Sequence, residues 1–190
     1  MRALNSRIAA NELADLARSS GAAAAAVIPA RLVAIDPRVR LKCQIPLCPH
    51  YGHNLVCPPA VPSPREFTQS LRRYRWAVVV LVAGRLSGPD EERMNQADGL
   101  ARDLYRVVAS LEARALELGF PLACGLAGGH CRLCPTCVGQ KSDQMCRHPF
   151  QPRPAAEALG VDVVETARRA GLELTFPVSD RVQWVGILLL

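Results

Sequence analysis

Between Trp76 and Gly84 the chain reads WAVVVLVAG, a continuous apolar run rich in β-branched side chains and free of charge. β-Branching favours the extended backbone, and so short an apolar run reads as a strand. A strand that is apolar on both sides has to be covered on both faces. That requirement constrains the fold more than any other stretch, because it asks for helices on either side of a sheet.

Other parts of the sequence supply those helices. Residues 5–19 carry Ile8, Leu13, Leu16 and Ala17 at helical spacing, and Gly21 provides a stop. Ser63, Pro64 and Glu66 make a start signature: a cap, a first-turn proline and the partner of a capping box. From about Pro89 to Leu118, apolar residues at Ala97, Leu100, Leu104, Val108, Leu111, Ala115 and Leu118 recur at steps of three and four. The spacing predicts a long amphipathic helix ending at Gly119. Helical turns are also expected in RPAAEALGVDVVETARRAG, with Asp162 and Glu165 on a solvated face.

Four further strands are predicted: ARLVAID (Ala30–Asp36), FPLACGLAGG, LELTFPV and VQWVGILLL, the last two joined as a hairpin through SDR. Trp76 and Trp184 fall in apolar strands as core residues. No internal repeat or dividing linker is present. The expected fold is a single α/β domain over residues 1–190, with a mixed, mostly parallel sheet of about five strands and helices packed on it. In such a sheet, loops that follow parallel strands emerge at one edge, where open α/β sheets place their sites.

Two cysteine-rich loops, about 42–62 and 124–150, follow predicted strands. Seven prolines between Pro37 and Pro64 leave little regular structure in the first. So long a loop inside a compact domain is unusual unless it binds something. Cys43, Cys48 and Cys57 form C-x4-C-x8-C there, and Cys131, Cys134, Cys137 and Cys146 form C-x2-C-x2-C-x8-C in the second loop. Cys124 stands alone in a strand.

Disulfides, zinc and an iron–sulfur cluster compete for these thiols. Asn11, Glu12 and Asp15 interrupt any apolar export signal, and no uncharged run is long enough to span a bilayer. The reducing cytoplasm is therefore the expected compartment, which disfavours disulfides. Structural zinc sites join two separate chelating pairs. An overlapping C-x2-C-x2-C instead puts three thiols on one tight turn, suited to three irons of one cubane, as in bacterial ferredoxin runs. The interval to Cys146 is longer than in those runs, and its thiolate can serve either cluster.

For the first loop, His50 and His53 are candidate non-thiol ligands, or polar loop residues. Cys124 is either a fourth thiol for that loop or a buried strand residue. Gly125, Gly128 and Gly129 are expected to turn backbone N–H groups toward sulfur. GLAGG matches neither dinucleotide nor P-loop glycine patterns.

The formal charge of +6 comes almost wholly from dispersed arginines. Only RRYR, Arg72–Arg75, forms a run, which argues against nucleic acid as a partner. Anionic thiolate clusters offer another reason for the excess. Arg40, Lys42, Arg132, Lys141 and Arg147 all lie beside cysteines in the sequence.

KCQIPLCPHYGHNLVCPP, LAGGHCRLCPTC, CRHP and AAEALGVDVVETARRAGL together resemble a cysteine-rich prokaryotic family of predicted metal-binding proteins, a domain of unknown function. The likeness runs from about Lys42 onward. It implies metal binding through Cys43, Cys48, Cys57, Cys131, Cys134, Cys137 and Cys146, leaves Cys124 outside the pattern, and implies no particular reaction.

The expected function is a cytoplasmic iron–sulfur protein with two [4Fe–4S] clusters, in electron transfer or anaerobic redox metabolism with a redox partner protein. Two alternatives stand beside it. One is a zinc-stabilised binding module with a basic surface. The other is an enzyme whose three-cysteine cluster keeps one iron open.

Overall fold

The computed structural model describes the backbone of residues 2–190 and the side chains from Ser6 onward. Its centre is strand β2 (Trp76–Arg85), an apolar run that is buried from Ala77 to Val82. Successive residues of a strand face opposite sides. Ala77, Val79 and Leu81 accordingly enter one core cluster, and Val78, Val80 and Val82 the other.

On the second face lie α1 (Arg2–Ser19) and α4 (Asp90–Glu117), through Leu13, Ala17, Leu104, Val108 and Leu111. The first face is covered by α3 (Pro64–Leu71), α5 (Val163–Arg169) and a 3-10 turn, Glu157–Leu159. Phe67, Leu71, Ala158, Leu159 and Ala167 are its buried contributions. The capping box of α3 is formed: the Glu66 amide donates to Ser63 Oγ at 3.3 Å, and the Ser63 amide to Glu66 Oε2 at 2.8 Å. Asp162 caps α5 by accepting from the Glu165 amide at 2.9 Å.

The sheet differs from the expected one. It has four strands in the order β1 (Ala24–Pro29), β2, β4 (Arg181–Leu189), β3 (Cys124–Ala127), and every neighbouring pair is antiparallel. The β2–α4–β3 segment does carry two strands that run the same way. They are not neighbours, because β4 inserts between them and pairs with both. VGILLL, apolar on both sides, is what makes the last strand suited to a central position: Ile187, Leu188 and Leu189 are wholly buried.

Two predicted strands are not strands. Ala30–Asp36 holds a 3-10 turn and an extended segment whose Ile35 makes one bridge to Val161; the strand proper precedes it as AAAVIP, where the alanines mask the pattern. LELTFPV is irregular, so the final hairpin is absent. Gln183 satisfies the backbone there instead, accepting from the Thr175 amide at 2.7 Å and donating to Glu173 O at 3.1 Å.

The topology also changes how the cysteine loops meet. β1 ends at Pro29, opposite Trp76, the first residue of β2; β3 ends at Ala127, opposite Gly186. The two strands that lead toward the loops thus run in opposite directions. The first loop reaches the second because the chain after β1 crosses toward the Gly160 region. Asp36 donates its amide to Gly160 O at 2.8 Å, and its carboxylate caps the short α2 (Pro37–Leu41).

Candidate metal centre

The second cysteine loop is delivered by β3. After Ala127, the Gly128 amide still donates to Val185 O at 2.9 Å, and the Gly129 amide donates to Glu157 Oε2 at 3.0 Å. Cys131, Cys134, Cys137 and Cys146 then border one small cavity, together with apolar groups such as Val56 and Val138. Two backbone amides reach sulfur: Leu133 bonds to Cys131, and His148 donates to Cys146 Sγ at 3.4 Å. Burial pushes the Cys131 thiol up, the Leu133 amide opposes that, and nearby Cys134, Cys137 and Cys146 push it up further.

Cys43 follows α2 directly, its amide bonded to Arg40 O at 3.0 Å, and the Cys48 amide returns to Cys43 O at 3.1 Å. Cys57 is buried, with its amide on Asn54 O at 3.0 Å. Burial, then Cys48, Cys43, Glu157 and Cys131, push the Cys57 thiol up to about 12. Burial, Cys48 and Glu157 likewise raise Cys43. Cys43 and Cys48 thus both act on the Cys57 thiol, and so does Cys131 of the second loop.

Polar side chains fasten the two loops together. The Gln140 amide nitrogen lies 2.7 Å from Asn54 O, 3.1 Å from Cys57 O and 3.3 Å from Pro58 O. Its backbone N–H donates to His53 O at 2.9 Å. Buried Asn54 donates to Cys131 O at 3.4 Å. Gly139 is needed where the loops pass: its φ is +89°, and a Cβ there would sit 3.1 Å from His53 Nδ1.

On the far side of the triplet, Cys131, Cys134 and Cys137 also line a solvent-open cleft of about 500 Å³. His50, His53 and His130 share this lining with Asp98 and Arg102 of α4 and with Arg132. His50 and His130 stack at 3.6 Å with 18° between their planes. Burial, then the Arg132 charge, lowers both imidazoles, His130 to about 4. Arg132 bonds Asp98 at 2.5 Å and lies 4.6 Å over the Trp184 ring. Trp184 is half-buried, packs against the core as expected, and also serves as a platform for Arg132.

A family model for "predicted metal-binding protein (DUF2284)" matches residues 26–190. The chain belongs to this family. No curated protein and no solved structure matches it. Metal binding is thus the family's own description, and the donor set fits it. Seven cysteines occupy two adjoining loops, all eight in the chain are free thiols, and thiolate is a soft ligand. Among the described residues, no group of three or more His, Cys, Asp or Glu side chains is gathered closely enough to hold a metal ion. No helix among them is long and apolar enough to cross a membrane.

Of the other candidate residues in this family member, Cys124 lies in a strand as expected, whereas the glycine amides do not take the contacts expected of them. Cys124 starts β3, at the end away from the loop, and its thiol is raised by burial and Glu112 and lowered by Arg153 and a Tyr74 hydrogen bond. Those neighbours include no other cysteine. His50 and His53 line the cleft beside the second-loop triplet, whose lining includes none of Cys43, Cys48 and Cys57. The glycine amides do not face sulfur: Gly125 donates to Glu112 Oε1 at 2.9 Å, and Gly128 and Gly129 are taken by Val185 and Glu157. Leu133 and His148 make the amide–sulfur contacts instead.

Spacing and composition do not single out His130, Glu157, Asp98, Arg102 or Gln140. For His130 the adjacency to Cys131 is the one signal the sequence carries. Glu157 has none, because its place between the Gly129 amide and the thiols of Cys43 and Cys57 in the first loop depends on a 3-10 turn packing under β3.

Proposed function

We propose that this protein is an iron–sulfur protein of the cytoplasm that holds two [4Fe–4S] clusters and exchanges electrons with a partner protein. The observation that carries the reading is the cavity bordered by Cys131, Cys134, Cys137 and Cys146, with three of its thiols at steps of three along the chain. A tetrahedral zinc draws four sulfurs to one point, whereas a cubane gives each thiolate its own iron and keeps the sulfurs apart. Three thiols at steps of three along the chain support the second pattern.

Bound there, the clusters would supply one-electron redox centres. The chain's own residues do the rest. Cys43, Cys48 and Cys57 supply a second ligand group, beside the first through Cys57 and Cys131. The amides of Leu133 and His148 favour thiolate at Cys131 and Cys146. Val56 and Val138 limit water, and Gln140 and Asn54 hold the two groups at fixed separation.

Anaerobic purification after iron-replete expression tests this. Brown protein with about eight irons and eight sulfides per chain is the expected result for two cubanes. Stoichiometric zinc without sulfide would refute it.

A further inference from the structure

The cleft on the solvent side of the cysteine triplet has features that ligation of a cluster does not use. Asp98 and Arg102 lie one turn apart on α4, the spacing at which they could pair with each other. Asp98 is instead bonded by Arg132, whose guanidinium is further fixed over Trp184. Arg102 is left with no carboxylate partner among the described residues, on the wall of a cleft that holds two guanidiniums against one carboxylate. Opposite stand the stacked imidazoles of His50 and His130 and the exposed His53, all able to donate N–H bonds.

We propose that this cleft is a binding site for a small carboxylate-bearing molecule, held by Arg102 with imidazole donors from both cysteine loops. A volume of about 500 Å³ suits such a ligand. A planar guanidinium matches a carboxylate through two parallel bonds. Cys131, Cys134 and Cys137 are shared between this cleft and the inner cavity that also touches Cys146, so a bound acid would lie directly against the second cluster's ligands. Only that last point rests on the function proposed above; the binding site itself does not.

The test is calorimetric titration of the anaerobically purified protein with acetate, succinate, citrate and inorganic phosphate, with metal content measured on every sample. At least one carboxylate should bind more tightly than phosphate. Arg102→Glu should weaken that carboxylate by about ten- to a hundredfold, the range for a hydrogen bond to a charged group. Arg106→Glu makes the same charge change one turn along, at an exposed residue paired with Asp103 and outside the cleft, and should leave affinity within about twofold. Absence of carboxylate binding, tighter binding of phosphate, or an equal loss in both variants would overturn the proposal. Loss of metal in Arg102→Glu would overturn it too, by making the cleft part of the cluster's own volume. Carboxylate binding by a zinc-loaded protein would uphold the site and remove the electron-transfer reading.

Discussion

Gln140 is the side chain on which the joint between the two cysteine loops most depends, and Gln140→Leu isolates its contribution. Leucine keeps a similar apolar stem and cannot donate. The lost nitrogen has two protons for three carbonyl oxygens, those of Asn54, Cys57 and Pro58, so at most two full bonds disappear. None of the three oxygens is orphaned. Asn54 O still accepts from the Cys57 amide, Cys57 O from the Ala60 amide and Pro58 O from the Gly52 amide. The penalty for a stranded buried acceptor is therefore absent, and the expected cost is about 1–2 kcal/mol, at about 1 kcal/mol for each of one or two net bonds. The Gln140 backbone bond to His53 survives, so the effect should stay local. Hydrogen exchange read by mass spectrometry on the metal-loaded protein should show protection over residues 50–60 falling about 5- to 30-fold, with β2 and β4 unchanged. Unchanged protection in residues 50–60, or an equal fall in the sheet, would refute the reasoning.

Four further outcomes are expected. Cys134→Ala should lose one cluster's worth of iron, whereas Cys124→Ala should retain full iron, because the neighbours of Cys124 are Tyr74, Glu112 and Arg153; iron loss in Cys124→Ala would count against the seven-ligand set. Gly186→Ala would place a Cβ 2.7 Å from Val108 Cγ2 and 2.9 Å from Leu104 Cδ1, so overpacking against α4 should cost about 1–3 kcal/mol in a thermal or urea unfolding comparison. Ser63→Ala removes the cap of α3 and should cost about 1 kcal/mol, measured the same way. Arg168, then Arg169, hold the Glu165 carboxyl down to about 2, below its ordinary 4.5. A depressed carboxylate adds stability above its unfolded value and loses it as pH falls toward the folded one. The wild type should therefore lose stability relative to Glu165→Gln between about pH 5 and 2, and parallel acid titrations would contradict this.

Features that depend on local spacing are legible in the order of residues. The capping box at Ser63 and Glu66, the long helix from Pro89 onward and the two-faced strand at Trp76 each follow from neighbours along the chain, and each forms. Strand order is not legible in the same way. Nothing local distinguishes a last strand that pairs at an edge from one that inserts between β2 and β3, and that insertion turns an expected parallel sheet into an antiparallel one. The strand at Ala24–Pro29 escapes notice because alanine carries no strong strand signal. LELTFPV forms no strand because Gln183 meets its backbone groups from outside any ladder.

The site divides the same way. Thiol spacing alone separates C-x2-C-x2-C from a paired zinc pattern, because three ligands on one turn is a property of the chain and not of the fold. Which residues surround those thiols is a matter of long-range packing. Gln140 meets Asn54 across 86 positions, and Arg132 meets Asp98 across 34. Such pairings cost chain entropy that only the packed sheet and its two helical covers compensate, so no local pattern announces them. Ligand type and spacing, written in the chain, set which atoms can hold a metal; packing around the sheet brings both thiol groups to one joint, with a basic, imidazole-lined cleft beside them.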